Sequence, residues 1–571
     1  MRLFLLAAAG IAITAPLVAQ GEATPKGDPA ELKKLDPAYQ RANGCMAAMK
    51  RAEAAKPAAM PLIAGLAKVH WPLSAASAEA QRYFDQGLAL VYGFEYDKAA
   101  RSFARGAEVD PACAMCRAGQ ALALGPYQNS GPVGPEKIAK ARKLIEEALA
   151  TDGLSTTERA FAEALVLRYA PNAPADDALG VNGVRYAEAL AALSAAHPDN
   201  DILMVAAGQA AMEVSPWDYW QADGKTPLPW GARAIKLIET VLARNPDQPQ
   251  AQHLYIHLTE ASTTPGRAEK AADMLEIAAP ASAHLVHMPS HTYYRVGRFA
   301  DGMRTNRRAI EVDDAMAARL GEAAPFYGYF RHHTHFLMAA AEQVGDARTA
   351  LAAAGQLEAS FKSGSPRGND YAQALLLTAL QTRSQFAGLE EMLAVPAPDA
   401  GMPVVRQIWY ALRAEALGRA GRIGEARREI RAMRAERRHM KMDRDFMAIV
   451  TVAENVALGR IAAGRGDARA AVNFLARASA IDAKLPYREP PAWHQPIDAA
   501  VGAQWLKLGN ASAARAAFDR ALVRRPGSPW ALWGRAQAEA AMGDTAASAA
   551  TLAQVDRLWK GDKAALRLER L

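Results

Sequence analysis

Apolar residues along this chain recur at intervals of three and four, the spacing of one helix face, and long runs of alternating β-branched residues are absent. From residue 78 the faces come in pairs. The stretch AEAQRYFDQGLALVYGFEYDKAARSFARGAEVDP puts Gly87 at a close-packing point of a first helix. Ala99 and Phe103 take the matching points of a second helix, and Pro111 closes the unit. Small residues let antiparallel helices approach, and larger ones fill the gap between neighbouring pairs. The cleanest copy lies near the C-terminus, with Gly502, Gly509, Ala514, Phe518, Ala521 and Pro526; Gly543 follows Gly509 by 34 residues.

That period and residue set are those of the tetratricopeptide repeat, so the expected fold is all-α, a tetratricopeptide-type α-solenoid of antiparallel helix pairs. Further turns centre on Gly266, Gly297, Gly345, Gly421 and Gly466 at uneven spacings, which implies inserted loops. Two inserts are aromatic: SPWDYWQADGKTPLPW (215–230) and LPYREPPAWHQP (485–496). Trp217, Tyr219, Trp220 and Trp493 in them either cap a groove or seal a gap between repeats. A chain of 571 residues exceeds what one ordinary core serves unless it is built from repeats. Only 7% of the chain is aromatic, and Ala and Leu supply most of the apolar content, which suits close helix packing.

Histidine changes the picture. Eight of 12 histidines fall between His253 and His335. With the turn glycine numbered 15 in each unit, His253, His257 and Glu260 take positions 2, 6 and 9. His284, His287 and His291 take 2, 5 and 9; His332 and His335 take 2 and 5, with His333 beside them. Positions 2, 5 and 9 form one stripe on the first helix. In tetratricopeptide arrays that stripe faces the concave groove, so successive units are expected to aim imidazoles into one groove. Such a set suits a transition metal, with Cu, Zn or Fe the candidates. The metal ligands are drawn from His253, His257, Glu260, His284, His287, His291, His332 and His335. An open position on such a site would make it catalytic. Pro289 interrupts the second stripe, so a helix kinks or begins there. HLYIH lacks the Glu of a zincin protease motif. Acid–base chemistry by His and Glu260 without a metal is a further reading.

The N-terminus, MRLFLLAAAGIAITAPLVAQG, has a basic start, a short apolar run and a small-residue cleavage site after Ala19, the pattern of a signal peptide. The expected organisation is a signal peptide (1–19), a partly helical lead-in (20–77), an N-terminal array with a His-lined groove (78–350) and a C-terminal array (351–571). The mature chain is expected to be soluble and periplasmic, with no transmembrane segment. Net charge is +7, much of it between Arg413 and Arg444, read as a solvated helix face. Aromatics are not interleaved with the basic residues as nucleic-acid stacking requires, so nucleic acid is not an expected partner. No nucleotide motif is present. Of three cysteines, Cys113 and Cys116 could form a one-turn disulfide, pack as buried thiols or act as soft ligands, leaving Cys45 odd. CAMCR is not CxxCH, so covalent haem is not indicated.

Several segments together resemble a group of exported bacterial tetratricopeptide-repeat proteins: AQRYFDQGL (80–88), DPACAMC (110–116), SPWDYW (215–220), HLYIH (253–257), HLVHMPSH (284–291) with RVGRF (295–299), HFLMAAA (335–341) and YREPPAW (487–493). Ala118 and YQNS (127–130) depart from that group's pattern. The resemblance implies architecture and site location and no reaction. Two functions follow as expectations: an exported scaffold whose groove binds a divalent transition metal, as a metalloenzyme centre or not, and a metal-free module that grips a protein or peptide.

Overall fold

A computed structural model describes residues 60–171, 179–322, 329–361 and 370–571. The signal-peptide segment 1–19 and Cys45 lie outside the described residues. Everything described belongs to one compact unit, Ala38–Leu571.

Helices follow one another as antiparallel pairs: Ala78–Tyr92 with Tyr96–Val109, Ile497–Lys507 with Ala511–Arg524, and Pro529–Ala541 with Thr545–Leu558. Among the described residues there is no strand beyond the isolated bridge between Trp220 and Pro227. The chain is an α-solenoid. Local chemistry sets its boundaries. Asn510, Asp467 and Asp544 accept from backbone N–H groups at their helix starts, and Pro249, Pro289 and Pro529 occupy first turns where a missing N–H costs nothing. Gly345, Gly421, Gly466, Gly509 and Gly543 hold the turns in the left-handed region, as does Gly297. At Gly297 a side chain would also strike the Pro526 carbonyl, so two parts of the chain meet backbone to backbone there. Gly266 differs: it sits in a 3-10 turn, Pro265–Ala268, without a left-handed residue.

The pairing rule is visible at both ends. The Phe103 ring lies against Gly87 and Gly119, and the Phe518 ring against Gly502 and Gly534; a Cβ at any of the four would collide with the ring. The described part of the lead-in, residues 60–77, carries no helix. It is non-helical chain with a turn at Gly65, pinned by Ile63 N–H to Gln86 Oε1 (2.7 Å) and Ser74 N–H to Glu158 Oε1 (2.9 Å), with Met60 and Trp71 in the core.

The array curls back on itself. The Tyr127 and Tyr329 hydroxyls meet at 3.1 Å, and His253 Nδ1 reaches the Tyr92 carbonyl at 2.7 Å. The C-terminal repeats fold onto the middle ones through Trp530 Nε1–H to Glu342 O (2.9 Å) and Gln343 Nε2–H to His494 O (2.9 Å). The inner wall is therefore covered. The open groove expected at the histidines is instead a buried polar interior: His335, the most exposed of the eight, is 7% accessible.

The basic run from Arg413 to Arg444 lies on helix surfaces beside carboxylates. Arg413 pairs with Glu429, and Arg434 and Arg437 share Glu454. Arg444–Gly464 is long and apolar enough to cross a bilayer, but 72% of its apolar window is buried against neighbouring helices.

Candidate metal centre

Four helices deliver the imidazoles. Pro249–Glu260 carries His253, His257 and Glu260. Ala283–His287 and Pro289–Val296 carry the second stripe, with Pro289 opening the second of them directly after Met288. Phe330–Gln343 carries His332, His333 and His335. Seven of these rings form one continuous cluster of three overlapping triads: His253, His257 and His284; His284, His287 and His333; His287, His291 and His332. Within each triad the donor atoms lie within 4.8 Å of one another.

The hydrogen bonds are one-sided. His253 Nδ1 faces the Tyr92 carbonyl, and His257 Nδ1 faces Glu260 Oε1 at 2.8 Å. His287 Nδ1 faces Asn306 Oδ1 at 2.6 Å, His291 Nδ1 faces Glu260 Oε2 at 2.6 Å, and His333 Nδ1 faces Asp313 Oδ2 at 2.7 Å. Asn306 is oriented by its own Nδ2–H, which donates to the Gly302 carbonyl at 2.7 Å, so the oxygen is what meets His287. Each of these five partners accepts, so each Nδ1 donates and each Nε2 carries the lone pair inward.

Those lone pairs face one another. His287 Nε2 and His291 Nε2 are 2.9 Å apart, and His332 Nε2 is 3.4 Å from His291 Nε2. With both Nδ1 atoms donating, the His287–His291 contact lacks a proton to share. Nε2 of His253, His257 and His333, and both nitrogens of His284, have no hydrogen-bond partner among the described residues. A buried polar atom left so costs about 1–3 kcal/mol. A cation among the rings relieves both the repulsion and the missing partners. In a tetrahedral site with bonds of about 2.0–2.1 Å, donor nitrogens stand about 3.3 Å apart, close to the separations here. An all-imidazole set fits Zn, Cu, Fe or Ni.

Electrostatics agree. Burial, reinforced by neighbouring rings, pushes His253, His284, His287 and His332 well below the usual imidazole value, so their lone pairs are free at neutral pH. Burial also lowers His257, with Glu260 opposing it. At Glu260 burial acts upward, but His291 and His257 outweigh it and hold the carboxyl at about 2. It is the buried anion of the centre.

Aromatic rings enclose the cluster, at a backbone cost. Among the described residues Phe94 (φ 53°) and Trp217 (φ 66°) are the non-glycine residues with positive φ. Such strain costs on the order of 1–3 kcal/mol. The Phe94 ring sits 4.4 Å from His253 and 5.4 Å from His284, and the Trp217 ring 4.9 Å from His257. Phe94 follows Gly87 by seven residues, the turn position that glycine holds at Gly509 after Gly502. Tyr329 stacks on His284 at 4.3 Å.

Not every residue singled out in the sequence joins the cluster. His335 Nε2 turns away to Thr378 Oγ1 (3.1 Å) and His494 Nε2 (3.4 Å). Glu260 uses its two oxygens to hold imidazoles rather than to face the triads. Of the four loop aromatics, Trp217 touches an imidazole. Trp220 Nε1–H donates to the Leu258 carbonyl, Tyr219 is buried beside Gly231, and Trp493 is half-buried in the 485–496 insert. Cys113 and Cys116 are joined in a disulfide, S–S 2.06 Å, and so are bonded to each other rather than to any ion. Sequence reasoning missed Asn306, Asp313 and Tyr92, which orient imidazoles, and His494, whose Nδ1 faces Glu342 Oε2 at 2.9 Å. One signal for Asn306 was present. It lies nine residues after turn Gly297, where the unit around Gly509 has Phe518.

No family model matches the chain, and no curated protein matches it in sequence. Solved structures similar to it include the human IFIT1 dimer with m7Gppp-AAAA (11% identity, 85% of this chain and 91% of that chain, TM-score 0.30). Others are the APC/C hetero-tetramer Cut9–Hcn1 (14%, 86% and 96%, TM-score 0.28) and the P58(IPK) TPR domain (11%, 82% and 99%, TM-score 0.22). At these scores they add no argument about the site, and the fold rests on the helix pairing described above.

Proposed function

We propose that this chain is an exported helical scaffold that encloses a divalent transition-metal centre, with His287, His291 and His332 as its best-defined ligands. The observation that carries the reading is the His287–His291 contact. Two Nε2 atoms stand 2.9 Å apart while Asn306 and Glu260 take the Nδ1 protons of both rings. Three imidazoles leave a fourth coordination position, which a substrate or water could take in a metalloenzyme. The Cys113–Cys116 disulfide supports an oxidising compartment, in line with the signal-peptide pattern. The burial of the imidazole wall favours the metal over a peptide as its occupant.

Metal analysis of the purified protein tests this. Stoichiometric Zn, Cu or Fe is expected, and the ion held by His287 and His291 should be lost in a folded His287→Ala/His291→Ala variant. Protein that stays metal-free after incubation with these ions would sink the reading and leave a protein-binding module.

A further inference from the structure

We infer that the cluster holds two metal ions rather than one, in two complete sites joined by a single carboxylate; this rests on the metal-binding reading above. The first and third triads, His253/His257/His284 and His287/His291/His332, share no ligand, so six imidazoles supply two sets of three. The middle triad is not a third set. It borrows His284 and His287, and His287 has one nitrogen to give because Asn306 holds the other. That nitrogen, Nε2, is the one facing His291. The middle triad keeps only His333 for itself.

Each outer site has its own signature of unmet bonding. In the first, Nε2 of His253 and His257 and both nitrogens of His284 are buried without a hydrogen-bond partner among the described residues. In the second, Nε2 atoms crowd together. One ion placed in the second site would leave the first as it is.

Glu260 ties the two together. Its Oε1 accepts from His257 of the first site and its Oε2 from His291 of the second. One full negative charge thereby supports a ligand in each site and fixes both Nδ1–H tautomers. The Tyr487 hydroxyl, 3.2 Å from Oε2, brings the 485–496 insert against this carboxylate. Glu260 is a positioning residue. Its amide replacement could accept from one imidazole only and would turn an N–H donor toward the other.

The test is titration of the metal-stripped full-length chain with Zn(II), read by calorimetry and by metal analysis after desalting, with circular dichroism as the folding control. Two equivalents are expected. His253→Ala/His257→Ala should retain one, and His287→Ala/His291→Ala should retain one. Glu260→Gln should weaken at least one site about ten- to a hundredfold with the helical signal unchanged. A wild type that takes one ion, lost only on His287 and His291 replacement, overturns the two-ion inference and leaves the parent reading intact. A folded double variant that loses both ions also overturns it. A wild type that takes none overturns both.

Discussion

The repeats around Phe518 and those around His287 share one scaffold and use it for opposite ends. At the C-terminal end, the position nine residues past the turn holds a phenylalanine wedged between Gly502 and Gly534. In the middle, that position holds Asn306, and its oxygen takes the His287 Nδ1 proton. The position seven residues before the turn is Gly502 in one unit and Ser290 in the other, with Ser290 Oγ 3.3 Å from His287 Nδ1. Where the repeat needs only to stack, apolar contact fills the seam. Where it builds a centre, the same seam carries hydrogen bonds that orient imidazoles, and the site is paid for in packing.

The largest expected consequence is in pH. Burial holds His253, His284, His287, His332 and His335 neutral in the fold. Below about pH 6.5 the unfolded chain binds protons that the metal-free fold does not. Stability therefore rises with pH and is lost as pH falls through that value, at about 1.4 kcal/mol per pH unit for each such group. In metal-free protein at pH 5, hydrogen exchange should accelerate first in Pro249–Val296 while Ala511–Leu558 stays protected. Loss of protection in the reverse order would break the contrast between the two regions.

Next in size is Phe518→Ala. It should destabilise the fold by about 3–5 kcal/mol in denaturant unfolding and leave metal content unchanged. Asn306→Leu should do the converse. By restoring an apolar seam it should leave metal-free stability equal or higher, yet weaken Zn(II) binding about ten- to a hundredfold in calorimetry. If Asn306→Leu left affinity untouched, the orienting role assigned to Asn306 would fail. The smallest effect is expected at the surface. Arg434→Ala removes one of two arginines on Glu454 and should cost less than about 1 kcal/mol, with no change in metal binding.

Much of this molecule was legible in its sequence, for a physical reason. Helix pairing depends on small residues and turn glycines at fixed spacing, and Gly87, Phe103, Gly502, Phe518 and Gly509 state it locally. The shared register of His253, His284 and His332 likewise follows from one helix face. What could not be read is what register alone does not encode. Positions 2, 5 and 9 share a stripe, yet His335 leaves the cluster because Phe330–Gln343 also packs against Asp370–Phe386, which offers it Thr378. His333, one residue off the stripe, joins the cluster instead. Tyr92 and Tyr487 come from distant segments that only the curl of the array brings in, and Asp313 reaches His333 from the neighbouring helix Phe299–Leu320. The open groove was expected from the way tetratricopeptide arrays present their first helices; here Phe94, Trp217, Tyr329 and the 485–496 insert close over the imidazoles.

Anomalous diffraction from crystals of the purified protein, recorded across the Zn, Cu and Fe edges, tests the central claim most directly. The account predicts an edge-specific peak about 2.0–2.3 Å from Nε2 of both His287 and His291. Data from crystals incubated with these ions that place no anomalous scatterer between the two rings would contradict it.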